Sequence, residues 1–123
     1  MARILIIEDD AAFRRMLTLM LRKAGYDVLE AAEGNEGILI YGKYLVDLVI
    51  TDVFMPEKEG IQTVMELKEI NPEVIIIAIS GGGSPERLEY LKNIKEFGAH
   101  KTFEKPFDMK DFLATVEDLL QPE

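Results

Sequence analysis

Asp52 closes an apolar run, Leu48-Val49-Ile50-Thr51, and is followed by Val53-Phe54-Met55-Pro56 and then Gly60. A run of this kind predicts a buried strand that delivers the carboxylate to its C-terminal tip. A carboxylate held there can ligate a metal or act as a nucleophile. It can equally cap the next helix or turn, and the stretch alone does not separate the two. Glu8-Asp9-Asp10 stand in the same position after Arg3-Ile4-Leu5-Ile6-Ile7. Three adjacent carboxylates repel one another unless a cation offsets them. Acidic groups also suit a helix N-terminus, with Asp10 as the cap. Both hold together if Asp10 caps while Glu8 and Asp9 face a crevice. Ser80 follows the most apolar run of the chain, and Lys105 follows the run that starts at His100. Lys105 is either a solvated charge or a cation aimed at the acids.

The segments that must position these groups alternate. Strands are expected over residues 3–7, 27–32, 48–52, 74–79 and 100–104. The first helix is read from Phe13, Met16, Leu17, Met20, Leu21 and Ala24 at helical spacing, stopped by Gly25. Residues 35–43 form a weaker helix, because Gly37 and Gly42 each cost about 1 kcal/mol against Ala; Ile38, Ile40 and Tyr41 supply its apolar side. A third helix spans residues 57–70, with Ile61, Val64, Met65 and Leu67 inward, and ends at Asn71-Pro72. Pro85 opens a fourth, with Leu88, Leu91, Ile94 and Phe97 on its apolar face. Asp108 caps the last, which runs to Leu120 on a stripe of Met109, Phe112, Leu113, Val116, Leu119 and Leu120. The less apolar second strand is expected at a sheet edge. The lone His100 is read as a solvated strand-start residue, since no His or Cys partner exists for a metal site. The Lys105-Pro106 bond, at a tight turn, is a candidate cis peptide. Gly81-Gly82-Gly83 lack the Lys and spacing of a P-loop and read as a loop beside a site.

Composition narrows the function classes. The chain has 123 residues, 48% of them apolar, and a net charge of −9. One domain over residues 1–123, with no output domain in this chain, is the expectation. The acidic balance argues against direct nucleic-acid binding and against anionic lipid. There is no Cys, hence no thiol chemistry. No signal peptide is recognisable, and no apolar run approaches the roughly 20 residues of a membrane span. A cytoplasmic protein is expected.

Five βα units imply an α/β fold: a (βα)5 doubly wound, parallel five-stranded sheet. With an edge-like second strand the natural order is 2-1-3-4-5, the flavodoxin-like order. Strand ends one and three then meet at the switch point, bringing Glu8, Asp9 and Asp52 together, with Ser80 and Lys105 flanking them. Separate bland explanations for three acids, a hydroxyl and an ammonium at four strand tips fit poorly, so the convergence favours a site.

On these motifs the chain resembles the receiver (CheY-like) domains of two-component response regulators, a family that is itself a standard example of this strand order. The resemblance runs from Arg3 to about Leu120. It rests on Ile7-Glu8-Asp9-Asp10, Thr51-Asp52-Val53-Phe54-Met55-Pro56 with Gly60, Ser80, and Lys105-Pro106-Phe107. It implies that Asp52 is the phosphoacceptor for a sensor histidine kinase or phosphotransfer protein. It implies that Glu8, Asp9, Asp52 and the backbone carbonyl of Phe54 hold Mg²⁺, and that Ser80 and Lys105 bind phosphoryl oxygens. It further implies a downstream effector protein or output domain, leaves phosphorylation-dependent dimerisation open, and makes the chain a self-catalysing phosphoacceptor rather than a turnover enzyme.

Two departures from the family pattern stand out. Thr102 occupies the strand-five position where many receivers carry Tyr or Phe, with Phe103 expected on the other face. Three glycines follow Ser80, so phosphorylation is a candidate for ordering that loop. Hydrogen exchange over residues 81–84, with and without a phosphoryl mimic, tests this, and unchanged protection sinks it. Phe54, two places after Asp52, is expected beside the path of the attacking water and to favour a long-lived phospho-form. A small phosphatase or phosphotransferase with an Asp nucleophile usually carries a second Asp two places on, where this chain has Phe54. A flavodoxin-like cofactor carrier is disfavoured because three clustered carboxylates repel an FMN phosphate. The remaining alternative is a constitutive pseudo-receiver interaction module, against which the full set of site residues argues.

Overall fold

Alternation along the strands decides how the sheet is buried. In β1 (Arg3–Ile7), Leu5 and Ile7 face one side while Ile4 and Ile6 face the other, and all four are fully buried. This is what a parallel strand covered on both faces requires. The computed structural model describes residues 1–54, 60–81 and 85–121, apart from the side chains at 87 and 88. The elements that follow β1 are α1 (Ala11–Lys23), β2 (Asp27–Ala31), α2 (Gly34–Lys43), β3 (Leu48–Asp52), α3 (Gly60–Ile70), β4 (Ile76–Gly81), α4 (Pro85–Glu96), β5 (Lys101–Lys105) and α5 (Met109–Leu120). The strands pair in parallel in the order β2-β1-β3-β4-β5, as expected, with β2 at an edge.

Two cores sandwich the sheet. Leu5, Ile7, Val49 and Ala78 meet Tyr41 of α2, Val64 and Leu67 of α3, and Leu91 and Ile94 of α4. On the other face, Ile4, Ile6, Ile50, Ile77 and Ile79 meet Leu17 and Leu21 of α1 and Phe112 and Val116 of α5. Asp10 caps α1 by accepting the Phe13 N–H, and Asp108 caps α5 by accepting from Lys110 and Asp111. The chain leaves α1 through Gly25 at φ 102°, a left-handed conformation that favours glycine. Gly37 carries no side chain because a Cβ there would run into Ile7, so the residue that weakens α2 locally is what lets it lie close on the sheet. Lys105-Pro106 is cis. No helix among the described residues is long and apolar enough to cross a membrane.

Several sequence expectations shift. β4 begins at Ile76 rather than Val74, whose N–H instead closes a turn onto the Asn71 carbonyl. β2 ends at Ala31, and β5 runs from Lys101 to Lys105. Met65 is 45% exposed, because Gly60, Thr63, Val64 and Leu67 form the buried stripe of α3 and Met65 stands about 100° round the helix from Val64. Met16 is exposed for the same reason, Ala24 because it is the C-cap past the last residue of α1, and Thr18 takes a buried place on α1. Phe97 lies past the end of α4 and is exposed. The start expected for the third helix at residue 57, the glycine loop beyond Gly81 and the side chain of Leu88 lie outside the described residues.

Candidate functional site

The C-terminal tips of β1, β3 and β5 bring three charged side chains into contact. Glu8, Asp52 and Lys105 fall on the same pleat parity as Ile6, Ile50 and Phe103, so their side chains leave the sheet towards α1 and α5. Lys105 Nζ donates to Glu8 Oε1 at 2.6 Å and to Asp52 Oδ2 at 3.2 Å. Glu8 is fully buried and Asp52 is 4% exposed. Asp9 is exposed, and one carboxylate oxygen from each of Glu8, Asp9 and Asp52 lies within 4.8 Å of the others. Asp10 stands apart as the α1 cap, and its own N–H donates to Glu8 Oε2 at 3.1 Å.

The remaining Asp52 oxygen is also committed: Oδ1 accepts the Phe54 N–H at 2.9 Å. The carboxylate is therefore gripped from both sides, by a backbone donor just downstream and by the β5 ammonium. Ser80 is buried at the end of β4, one residue beyond Ile79, the register partner of Asp52. Its hydroxyl donates to the Gly81 carbonyl at 3.4 Å rather than to the carboxylates, and its parity is that of Ala78, towards the opposite face. Thr102 pairs with Ala78 and Phe103 with Ile79, so Phe103 does face away from Thr102, packing on Phe107 and Phe112.

The electrostatics follow from burial. Removal from water pushes Glu8 up from 4.5 to about 7; the Lys105 hydrogen bond opposes this, and the hydrogen bond and charge of Asp52 add to it. Burial alone would lower Lys105, but its bonds to Glu8 and the charges of Asp52 and Glu8 outweigh that and raise it. One ammonium thus faces three carboxylates, and the cluster is under-compensated. The donor set, all carboxylate oxygen and partly water-facing through Asp9, suits a small hard cation. Thus the residues present fit Mg²⁺.

Three contributors escaped the sequence reading. Arg14 Nη1 donates to the Glu8 carbonyl at 2.6 Å and Arg14 Nε to Glu30 at 3.3 Å, tying β1's tip to α1 and β2. The Phe13 ring lies 4.2 Å from Lys105 Nζ, a cation–π contact. Both residues sit in the first turn of α1, so proximity to the acids was a signal for them. Tyr90 of α4 packs on Phe54 and had no sequence signal. His100 is exposed, as expected, but its Nδ1 accepts the Ile76 N–H at 3.3 Å, a structural bond at the opposite end of the sheet.

Residues 4–117 match the family model described as the response regulator receiver domain. The transcriptional regulatory protein PdtaR of Mycobacterium tuberculosis is 35% identical over 118 residues, covering 94% of this chain and 55% of PdtaR. The chain spans about half the length of the curated relatives it matches. A response regulator receiver domain protein from Clostridium thermocellum superposes with a TM-score of 0.90 at 28% identity, covering 98% of this chain and 94% of that one. The response regulator TrrA from Thermotoga maritima, in complex with Mg²⁺-BeF, gives a TM-score of 0.87 at 26% identity over 98% of this chain and 100% of TrrA.

Proposed function

The chain belongs to the response regulator receiver domain family, and on that premise we propose that it is a phosphorylation-controlled signalling domain whose acceptor is Asp52. The observation that carries this reading is the convergence of Glu8, Asp9 and Asp52 with Lys105 bonded to both buried acids. The donor is a phosphohistidine on a sensor kinase or phosphotransfer protein. A carboxylate oxygen of Asp52 attacks phosphorus; the O–P bond forms as the P–N bond breaks, and the imidazole nitrogen leaves with the electron pair. Such transfers depend on positioning and on charge stabilisation more than on covalent assistance. The Phe54 N–H orients the attacking carboxylate through Oδ1. Lys105, on Oδ2, is one contact from the incoming phosphoryl oxygens, and its compact ammonium can move onto them. Ser80, beside Asp52 at the sheet's C-terminal edge but on the other face, serves a second phosphoryl oxygen only once its hydroxyl leaves the Gly81 carbonyl and swings round that edge. Glu8, Asp9, Asp52 and the Phe54 carbonyl hold Mg²⁺, which when bound supplies the positive charge that lets an anionic nucleophile meet a phosphoryl dianion.

The aspartyl phosphate then alters a surface read by an effector protein or by an output domain, in the cytoplasm. Incubation with acetyl phosphate and Mg²⁺, followed by intact mass, tests the reading. A gain of one phosphoryl group that a chelator abolishes is the expected result. No gain with the metal present favours the constitutive pseudo-receiver alternative.

A further inference from the structure

Tyr90 belongs to α4, yet its side chain contacts Phe54, just past β3, and Ile61, in the first turn of α3. Its ring packs on Phe54, with centroids 4.9 Å apart and planes inclined by 41°. Its hydroxyl oxygen accepts the Ile61 N–H at 3.2 Å. Phe54 follows β3 and Ile61 lies at the start of α3, so one phenol contacts both elements. Ile61 is the second residue of α3, and first-turn N–H groups have no acceptor within their own helix. Tyr90 supplies that acceptor from another element. Phe54 in turn donates its N–H to Asp52 Oδ1. A continuous set of contacts therefore runs from α4 through Tyr90 and Phe54 to the carboxylate.

We propose that Tyr90 is a positioning residue for the Asp52 site and couples occupancy of that site to α4. The proposal rests on the reading of Asp52 and its cation given above. Occupancy fixes the Phe54 backbone, whose N–H and carbonyl both face the site in that reading, and the Phe54 ring moves with its backbone. Tyr90 transmits the shift to α4 and to the open cleft it lines with Pro85, Glu86, Glu89 and Asn93. The route bypasses Thr102 on β5. Coupling is reciprocal between the two states it joins, so if occupancy biases α4, the state of α4 biases the site's affinity, and a variant that cuts the route weakens binding.

The test uses beryllofluoride with Mg²⁺ as the probe, on the wild type, Tyr90→Phe and Tyr90→Leu. Tyr90→Leu removes ring and hydroxyl and is expected to weaken binding by roughly 5- to 20-fold. Tyr90→Phe keeps the ring and is expected to lose less affinity. In the metal-free protein the Ile61 amide is expected to exchange faster in both variants, a readout independent of any ligand. In the wild type the probe is expected to slow exchange at Ile61 and along α4, and in Tyr90→Leu to leave α4 unchanged. Wild-type affinity in both variants, or an Ile61 amide that exchanges at the wild-type rate in Tyr90→Phe, overturns the proposal. Should Tyr90→Leu not fold, Tyr90→Phe alone decides it through Ile61. A wild type that takes up no probe overturns the Asp52 reading and the coupling with it, whereas a wild type that binds while the variants match it overturns the coupling alone.

Discussion

Glu8→Gln is expected to stabilise the metal-free protein at alkaline pH while abolishing its response to Mg²⁺. The side chain is fully buried, and burial lifts its carboxyl from 4.5 to about 7, with Lys105 opposing and Asp52 adding to the rise. The folded value lies above the unfolded one, so the folded state holds the extra proton between them. That contribution is full below about pH 4.5 and is lost as the pH rises through about 7. Between about pH 5 and about pH 8 the linkage amounts to on the order of 2–3 kcal/mol for a shift of this size. Glutamine mimics the protonated acid and does not titrate. The stability of Glu8→Gln minus wild type should therefore grow by that amount from the lower to the higher pH. Groups remote from Glu8, His100 included, cancel in the difference. Urea unfolding at the two pH values measures it, and millimolar Mg²⁺ should then raise wild-type stability at the higher pH and leave Glu8→Gln unchanged. A difference that is flat with pH, or a variant that still responds to Mg²⁺, refutes the argument that Glu8 is an under-compensated acid held ready for a cation.

Phe54 offers no polar group to an attacking water, so Phe54→Asn or Phe54→Glu is expected to speed loss of the phosphoryl group by roughly tenfold or more, followed as decay of the phospho-form by intact mass; an unchanged decay rate removes the side chain from the hydrolysis argument. The neutral His100 accepts the Ile76 N–H, and partial burial of its ring and then the Lys68 charge lower its titration point although the residue as a whole is exposed. Its contribution, about 1 kcal/mol, is present above its unfolded value and lost as the pH falls through the folded one, so the stability gap to His100→Ala should narrow on acidification; a gap that widens contradicts the bond. Gly60→Ala would set a Cβ 2.5 Å from Val53 Cα, and a loss of about 1–3 kcal/mol in chemical denaturation is expected; a neutral effect means that this approach can relax.

β1, β3 and β4 were legible because parallel strands buried on both faces are continuous in hydrophobicity, and the alternation of strand-like and helix-like segments placed the mixed, partly exposed β2 and β5 at the sheet's edges. Asp10 and Asp108 were legible as caps because capping is local. Side-chain placement around those elements was less so. Met65 and Met16 satisfy a loose helical pattern, but Thr63 and Thr18 occupy the buried positions, since a threonine hydroxyl on α1 bonds back to the Arg14 carbonyl and costs little when buried. At the site, residue types and order pointed to Glu8, Asp9, Asp52 and Lys105 because strand tips of one sheet end converge. The pleat parity that separates Ser80 from them depends on strand register. Tyr90 was invisible because it lies 29 positions from Ile61 and 36 from Phe54 along the chain, and nothing local marks an aromatic on an amphipathic helix as one that reaches two other elements.

If the site works as proposed, Asp52 itself takes the phosphoryl group. Borohydride reduction of the acetyl-phosphate-treated protein, followed by peptide mass mapping, tests it at the level of the residue, because reduction of an aspartyl phosphate leaves homoserine in its place. Homoserine at position 52, dependent on Mg²⁺ and absent from Asp52→Asn, is the expected result. Conversion at Glu8, Asp9 or Asp10 in place of Asp52, or no conversion with the metal present, would contradict it.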